Sequence, residues 1–176
     1  MIERFLYRLG QSPLRDGFVL KGAVLFRVWM GQSHRPTKDL DFFGNGSSGL
    51  SEVAEAIREV CLVEADDGII FELDAIHAER IREDSEYEGV RVRFRAKLAA
   101  AQIPPQIDVG LGDAITPEPS LTAVPSMLGM DPPQVLGIRE RPWSPTARRP
   151  HMFGIRWGIP AFTLPSILTG ICSPAE

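Results

Sequence analysis

The chain has 176 residues, of which 44% are apolar and 24% charged, and its formal net charge is −4 at pH 7. A chain of this length can bury one hydrophobic core, and this composition is ordinary for a globular protein. The acidic balance excludes a generally basic surface, so nucleic acid would have to bind at a local basic patch.

The cysteines and the apolar runs exclude two further classes of protein. Cys61 and Cys172 are far apart, and no Cys/His cluster is present, so a zinc site is not expected. Two thiols in a chain of this size fit a reducing cytoplasm. The N-terminus does not read as a signal peptide, and no stretch approaches the roughly 20 apolar residues of a membrane helix.

In the first third of the chain, hydrophobic periodicity predicts three helices and two strands. Apolar residues recur at helical spacing over residues 2–10. A strand-like run begins at Phe18, and Gly22 leads into an apolar helix over residues 23–30. A short strand follows at residues 37–43, and Ser51 is predicted to cap an amphipathic helix.

The rest of the chain predicts strands up to about residue 112. A hairpin-type turn is expected at residues 66–68, followed by strands at 69–73, 89–98 and 106–112. Residues 76–84 are mixed and polar, and no useful period is visible after about residue 130. This order of elements predicts a mixed α/β layer.

Asp39 and Asp41 form the first candidate site. Faces alternate along a strand, so both carboxylates lie on one side of it, a few ångströms apart. Like charges that close repel unless a cation neutralises them, and carboxylate oxygens suit Mg²⁺ or Mn²⁺. The alternative is a pair of solvated acids on an edge strand.

A third carboxylate, Asp108, lies in the middle of a predicted strand among apolar neighbours. A carboxylate there is costly without a partner. A role as a third metal ligand, or as a base for an incoming hydroxyl, would explain it. Metal ions held by Asp39, Asp41 and Asp108 would clamp the reacting oxygens of a phosphoryl transfer. Asp74 and Asp113, near strand ends, are poorer candidates.

The segment before the aspartate pair suits the phosphates of a nucleoside triphosphate. Gly22 and Ala23 form a small-residue turn into a helix N-terminus, where backbone N–H groups face an anion. Lys21 either contacts phosphate or is a solvated lysine at a strand end. Arg35 either holds the triphosphate or braces the aspartates through bidentate hydrogen bonds, and Thr37 is a further nucleotide-binding candidate.

Alternate positions of the strand at residues 89–98 carry a stripe of three arginines, Arg91, Arg93 and Arg95. Such a stripe either contacts an RNA backbone or is the solvated face of a sheet. His34, in the loop before the aspartate pair, is expected to be only exposed.

Two segments resemble the AbiEii/AbiGii toxin nucleotidyltransferases of the DNA polymerase β-like superfamily. The first, residues 20–25 with residues 35–42, is similar to the family's first motif. The second, residues 107–113, is similar to the strand that carries its third carboxylate. The resemblance covers residues 1 to about 137. Some members are toxins of type IV toxin–antitoxin systems, and some relatives modify tRNA.

The resemblance implies a nucleotidyltransferase fold, with a mixed central sheet flanked by helices. It also implies Mg²⁺-dependent transfer of a nucleotide from a nucleoside triphosphate to RNA, including tRNA, or to protein. A cognate antitoxin is the implied partner. By motif, Gly22 and Ala23 would line the phosphates, Asp39 and Asp41 would bind metal, and Asp108 would complete the triad.

After the third carboxylate the chain departs from the family pattern. A Tyr-Pro-x-Glu-Thr segment and a helix with a functional lysine normally follow, and neither is present. In a shifted reading frame, residues 137–145 can encode Tyr-Pro-Arg-Glu-Thr-Val-Val-Ala. We therefore expect a nucleotidyltransferase core over residues 1–137 and an irregular, out-of-frame tail over residues 138–176, with the helical C-terminal part missing.

Three functions stay open on the sequence alone. The first is a nucleotidyltransferase of AbiEii type that acts on RNA or protein. The second is a small-molecule nucleotidyltransferase that modifies an antibiotic, which would need an acceptor pocket. The third is a catalytically dead remnant that binds nucleotide or an antitoxin, and the missing lysine-bearing helix favours it.

Sequencing the gene across codons 130–176 tests the reading frame. We expect one added or lost base to restore Tyr-Pro-Arg-Glu-Thr followed by a helical continuation. An error-free, in-frame read of the same protein, with intact relatives that share the tail, would rule out the shift.

Overall fold

The computed structural model describes residues 1–30, 37, 39–45, 49–84, 87–112, 115 and 118–139. The predicted loop at residues 31–36 and most of the predicted tail lie outside them. No described helix is long and apolar enough to cross a membrane. The helices are α1 (Ile2–Gln11), α2 (Ala23–Met30) and α3 (Leu50–Leu62). The strands are β1 (Phe18–Lys21), β2 (Asp39–Asn45), β3 (Ile69–Asp84), β4 (Tyr87–Leu98), β5 (Ala101–Ile103), β6 (Gln106–Gly112), β7 (Ser120–Ala123) and β8 (Gln134–Gly137).

The three predicted helices are confirmed, with one correction at the start of α3. The prediction that Ser51 caps α3 is wrong, because Leu50 is already helical and Gly49 is the N-cap. The Gly49 N–H donates to the Glu52 carboxylate at 3.0 Å, which satisfies one of the N–H groups left over at the helix start. α1 ends at Gln11, one residue beyond the prediction.

All eight strands form one mixed sheet, as the sequence predicts for the fold class. The strand order is β3-β4-β6-β2-β1-β8-β7, with β5 paired to the end of β4. The pairs β2/β6 and β1/β8 are parallel, and the other pairs are antiparallel. The sheet therefore brings β2 and β6, which carry the predicted carboxylates, side by side at its centre.

Strand β3 is longer than the sequence indicates, because its pairing with β4 is irregular. Residues 69–84 form one strand, whereas the pattern predicts a strand only at 69–73. Between Glu72 and His77 the chain advances five residues while β4 advances two, from Arg95 to Arg93. This irregularity interrupts the alternation of faces, so residues 76–84 show no strand period.

Three short strands, β5, β7 and β8, are absent from the sequence-based prediction. They have three or four residues each, which is too short to show a period. β8 lies between β1 and β7, and its Val135 is fully buried. The buried Glu3 on α1 holds the connection between β7 and β8. Its carboxylate accepts hydrogen bonds from the Ser126 hydroxyl at 2.5 Å and from the Met127 N–H at 2.8 Å.

One face of the sheet packs against the helices to form the core. Alternate residues of β4 are buried on that face, and the residues between them are charged. The rings of Phe5, Phe71 and Phe94 lie with their centroids 5.7–6.3 Å apart and join α1 to β3 and β4. The core-facing residues of the central strands are Leu20, Leu40, Phe42, Val90, Val92, Ile107 and Val109.

A buried ion cluster fastens α1 to the connection between α3 and β3. Two Arg8 nitrogens donate to the two Asp67 oxygens at 2.8 and 2.9 Å, and Arg4 Nε donates to one of them at 2.9 Å. The side chains of Arg4 and Asp67 are 4% and 1% exposed. The predicted hairpin turn at residues 66–68 is therefore wrong, since these residues join a helix to a strand and Asp67 points inward.

Replacing Asp67 tests how strongly the fold depends on this cluster. Asp67→Asn leaves two buried arginines without an anion, and loss of one partner from a buried ion pair costs about 3–5 kcal/mol. We expect urea unfolding to show a loss of that size, and the exposed neighbour Asp66→Asn to show almost none. A loss below about 1 kcal/mol in Asp67→Asn would contradict the role of the cluster.

The same cluster makes stability depend on acid. Burial opposes ionisation of Asp67, but hydrogen bonds from Arg8 and Arg4 outweigh it and lower the pKa of the carboxyl below its ordinary 3.8. The stabilisation is therefore complete above about pH 4 and is lost as the pH falls through the lower pKa of the folded state. The stability difference between the wild-type chain and Asp67→Asn should shrink over that range in urea unfolding curves.

Candidate active site

The face opposite the helices carries a row of charged side chains at the centre of the sheet. The strand register places Lys21 opposite Asp41, Asp41 opposite Asp108, Asp108 opposite Arg91, and Arg91 opposite Glu79. Residues opposite each other on neighbouring strands share a face. The row therefore crosses five strands, and Asp41 and Asp108 are the one adjacent pair of equal charge in it.

Asp39 belongs to the next row on the same face. It lies opposite Gln106, which lies opposite Arg93. Asp39 and Asp41 are two positions apart, with only Leu40 between them, so their Cα atoms are about 7 Å apart on one side of β2. The structure thus brings the three predicted carboxylates, Asp39, Asp41 and Asp108, onto one face of two adjacent parallel strands.

The glycine turn predicted to line phosphates lies directly against Asp41. Gly22 has φ +75°, and a Cβ built on it would lie 2.3 Å from Asp41 Oδ2. Its carbonyl accepts the Leu25 N–H at 3.2 Å, so α2 begins immediately after the turn, at Ala23. A helix N-terminus carries partial positive charge, which favours a carboxylate or phosphate beside it.

Lys21 and Thr37 have defined positions beside the aspartates. The Lys21 ammonium lies 4.5 Å above the centroid of the Phe43 ring, on the row that contains Asp41. The Thr37 hydroxyl donates to the Asp39 carbonyl at 3.1 Å and accepts the Asp39 N–H at 3.3 Å. Thr37 therefore shapes the start of β2.

Three residues singled out in the sequence lie outside the described residues. They are Arg35, a nucleotide-binding candidate, and His34 and Asp113. The role predicted for Arg35 therefore stays a prediction.

Arg91 holds Asp108 through both carboxylate oxygens. Its Nε donates to Oδ1 and its Nη2 to Oδ2, each at 2.8 Å. These hydrogen bonds raise the pKa of the Arg91 guanidinium above its ordinary value. Asp108 is only 8% exposed, and the fork from Arg91 supplies the partner that a buried carboxylate needs. The burial of Asp108 is thereby explained without a metal.

The remaining members of the arginine stripe also have acidic partners. Arg93 lies 2.5 Å from Glu79, and Arg95 lies 3.5 Å from Glu72. Glu72 also pairs with Lys97, and hydrogen bonding to this lysine lowers the pKa of Glu72. The stripe is therefore charge-balanced, which favours the solvated-face interpretation over contact with an RNA backbone.

The geometry of the carboxylates limits how they can hold a metal. Within the described residues, no three His, Cys, Asp or Glu side chains are grouped so that they could hold an ion. Both Asp108 oxygens accept hydrogen bonds from Arg91. Carboxylate oxygens, including those of Asp39 and Asp41, are of the kind that Mg²⁺ and Mn²⁺ bind. A carboxylate oxygen has a second lone pair, so Asp108 keeps some capacity for a ligand.

Gln106 was missed in the sequence, as were the bonds by which this residue and the arginine stripe join the polar network. Gln106 Nε2 donates to Asp108 Oδ2 at 3.4 Å, and Arg93 Nε donates to Gln106 Oε1 at 3.3 Å. The alternation of β4 already placed Arg91 and Arg93 on one face. The missing information was that β4 pairs with β6, and in which register.

A cavity of about 610 Å³ lies away from the carboxylates. It opens at the end of α3 and the start of β3, and Arg8, Cys61 and Phe71 are among its lining residues. Burial raises the pKa of the Cys61 thiol to about 12, so this side chain stays protonated and unreactive at neutral pH.

The structure has paired carboxylates on a central strand, beside a glycine turn and a helix N-terminus, as the resemblance to nucleotidyltransferases implies. Residues 4–141 match the sequence model of the family described as "Nucleotidyl transferase AbiEii toxin, Type IV TA system". The match spans well over half of the chain, and the chain belongs to this family. The family predicted from the two motifs is confirmed.

Two solved structures from Helicobacter pylori resemble the chain. One is JHP933, at 15% identity and a TM-score of 0.46, matched over 77% of this chain and 48% of that chain. The other, titled "putative nucleotidyltransferase", is 19% identical with a TM-score of 0.42 over 77% and 50% of the two chains. The chain thus spans about half the length of each. No curated protein matches it.

Substitution of Gly22 tests the contact with Asp41. Gly22→Ala adds a methyl group 2.3 Å from Asp41 Oδ2 at φ +75°, whereas Gly129→Ala meets the similar φ of +67° with nothing within 4 Å. The backbone strain alone costs about 1–3 kcal/mol. We expect Gly22→Ala to lose measurably more in thermal or urea unfolding than Gly129→Ala. Equal losses would show that Asp41 moves aside freely.

Proposed function

We propose that this nucleotidyltransferase-family chain transfers NMP from a nucleoside triphosphate to an RNA or protein acceptor, in dependence on Mg²⁺ or Mn²⁺. The observation that carries the proposal is the register that places Asp41 opposite Asp108 and on the same face as Asp39. The open side of the sheet beside the Gly22 turn then receives the triphosphate. A cognate antitoxin protein is the proposed partner.

Each residue has a role that follows from its position. Asp39 and Asp41 would hold the divalent cation, which neutralises phosphate charge during in-line displacement. The backbone N–H groups of the Gly22–Ala23 turn would bind the phosphates, because α2 begins at Ala23 and the N–H groups at a helix start face an anion. Asp108 would add a ligand or accept the proton of the acceptor hydroxyl.

Three further side chains, two of them cationic, complete the proposed triphosphate site. Lys21 lies opposite Asp41 on the same face, where an ammonium group can balance phosphate charge. Arg35 and Thr37, which precede Asp39 in the chain, are the further nucleotide-binding residues in the proposal.

A catalytically inactive chain that binds nucleotide or an antitoxin is the second candidate. The observation in its favour is that Arg91 occupies both oxygens of Asp108. A small-molecule nucleotidyltransferase would need an acceptor pocket beside the carboxylates, and the 610 Å³ cavity lies elsewhere.

Transfer of radiolabel from GTP or CTP to RNA tests the proposal on the full chain. We expect labelling that requires Mg²⁺ or Mn²⁺ and is abolished by EDTA. Asp39→Asn and Asp41→Asn each remove a cation ligand and should lower the rate on the order of 100-fold or more. Asp74→Asn, an exposed acid on β3, is the matched control and should leave the rate unchanged.

The transfer assay, together with a measurement of nucleotide binding, separates the two candidates. Nucleotide binding without transfer, measured by equilibrium dialysis, would support the inactive chain and contradict the enzyme. Transfer to a protein in place of RNA would keep the reaction and identify the acceptor class.

A further inference from the structure

We propose that Arg91 acts as an internal counter-ion that holds Asp108 away from the Asp39/Asp41 pair and competes with a cation for its carboxylate. The proposal rests on the metal dependence in the proposed function. Arg91 is accordingly a positioning residue that decides when the third carboxylate becomes available.

The argument begins with the spacing of two acids. Asp41 and Asp108 are opposite each other on adjacent strands, which lie about 5 Å apart. Two ionised carboxylates at that distance repel each other unless a positive charge compensates them. Arg91 lies on the far side of Asp108 from Asp41, so it supplies this charge and draws the Asp108 oxygens toward β4.

The arginine fork also determines which way the carboxylate faces. Both donor–acceptor distances are 2.8 Å. A planar guanidinium donates two parallel hydrogen bonds in this way to a carboxylate that lies in its own plane. Gln106 adds a weaker contact at 3.4 Å to Oδ2. An Asp108 held in this orientation presents its remaining lone pairs poorly to an ion beside Asp39 and Asp41, which accounts for the lack of a three-carboxylate cluster among the described residues.

A second acid lowers the cost of releasing Asp108. Glu79 lies directly opposite Arg91 on the other side of β4, and its charge acts on Arg91 together with that of Asp108. The Arg91 side chain is 29% exposed, so it has room to turn. When a cation takes Asp108, Arg91 can move toward Glu79, whose carboxylate it would then share with Arg93.

Arg93 provides a matched control. Arg91 is separated from Asp41 by Asp108, and Arg93 is separated from Asp39 by Gln106, so each arginine lies two strands from a site aspartate. Both carry the same charge on the same face. Only Arg91 grips a carboxylate of the site, because Arg93 bonds to Glu79 and Gln106.

Titration of the full chain with Mn²⁺ alone, followed by the electron paramagnetic resonance signal of free Mn²⁺, tests the proposal. The Arg91→Gln variant loses the charge-assisted bidentate contact with Asp108, so it should bind Mn²⁺ roughly three- to tenfold more tightly than the wild-type chain. The Arg93→Gln variant should differ from the wild-type chain by less than about twofold. The gain should vanish in an Asp108→Asn background. Thermal unfolding of each variant checks that the chain is folded.

The outcomes are separable. Equal Mn²⁺ affinity in Arg91→Gln and Arg93→Gln, or a gain that persists in Asp108→Asn, overturns the proposal, because the effect would then be general electrostatics or absent. No Mn²⁺ binding by any folded variant overturns both this proposal and the metal dependence. The predicted order of affinities without any nucleotide transfer leaves the counter-ion role standing and removes the proposed reaction.

Discussion

The parallel pairing of β2 with β6 is the constraint on which the rest of the site depends. It joins strands that are about 60 residues apart in the chain, and its register places Asp41 opposite Asp108. A shift by one residue would turn Asp108 into the core and Ile107 outward, since the faces alternate. The apolar residues on both strands prevent that slip, so the packing of the core also fixes the positions of the carboxylates.

Charge balance explains how the face opposite the helices can carry so many ionised groups. Positive and negative side chains are neighbours across the strands of this face. The positive ones are Lys21, Arg91, Arg93, Arg95 and Lys97, and the negative ones are Asp41, Asp108, Glu79 and Glu72. Each exposed pair contributes little to stability by itself. Together they keep the charge of this face close to balanced around Asp39 and Asp41.

Local patterns predicted the parts of the fold that depend on nearby residues. The helices, the position of Gly22 before α2, and the shared face of Asp39 and Asp41 follow from spacing alone. The β3 irregularity, β7, β8 and the pairing of Arg91 with Asp108 depend on contacts between distant segments, which periodicity does not record. The sequence predicts a turn at Asp67 because its partners, Arg4 and Arg8, precede it by about 60 residues and leave no local pattern.

The late return of β8 to the centre of the sheet has a consequence for biosynthesis. β1 pairs with β8 over a separation of more than 110 residues. Glu3 on α1 forms its hydrogen bonds with Ser126 and Met127, which are made equally late. Pairings this distant are slow to form because the loop must close first. As the chain leaves the ribosome, one edge of β1 stays uncovered until residue 137 has emerged. An unpaired strand edge can pair with another chain, so the protein is open to misassembly until this last strand is in place.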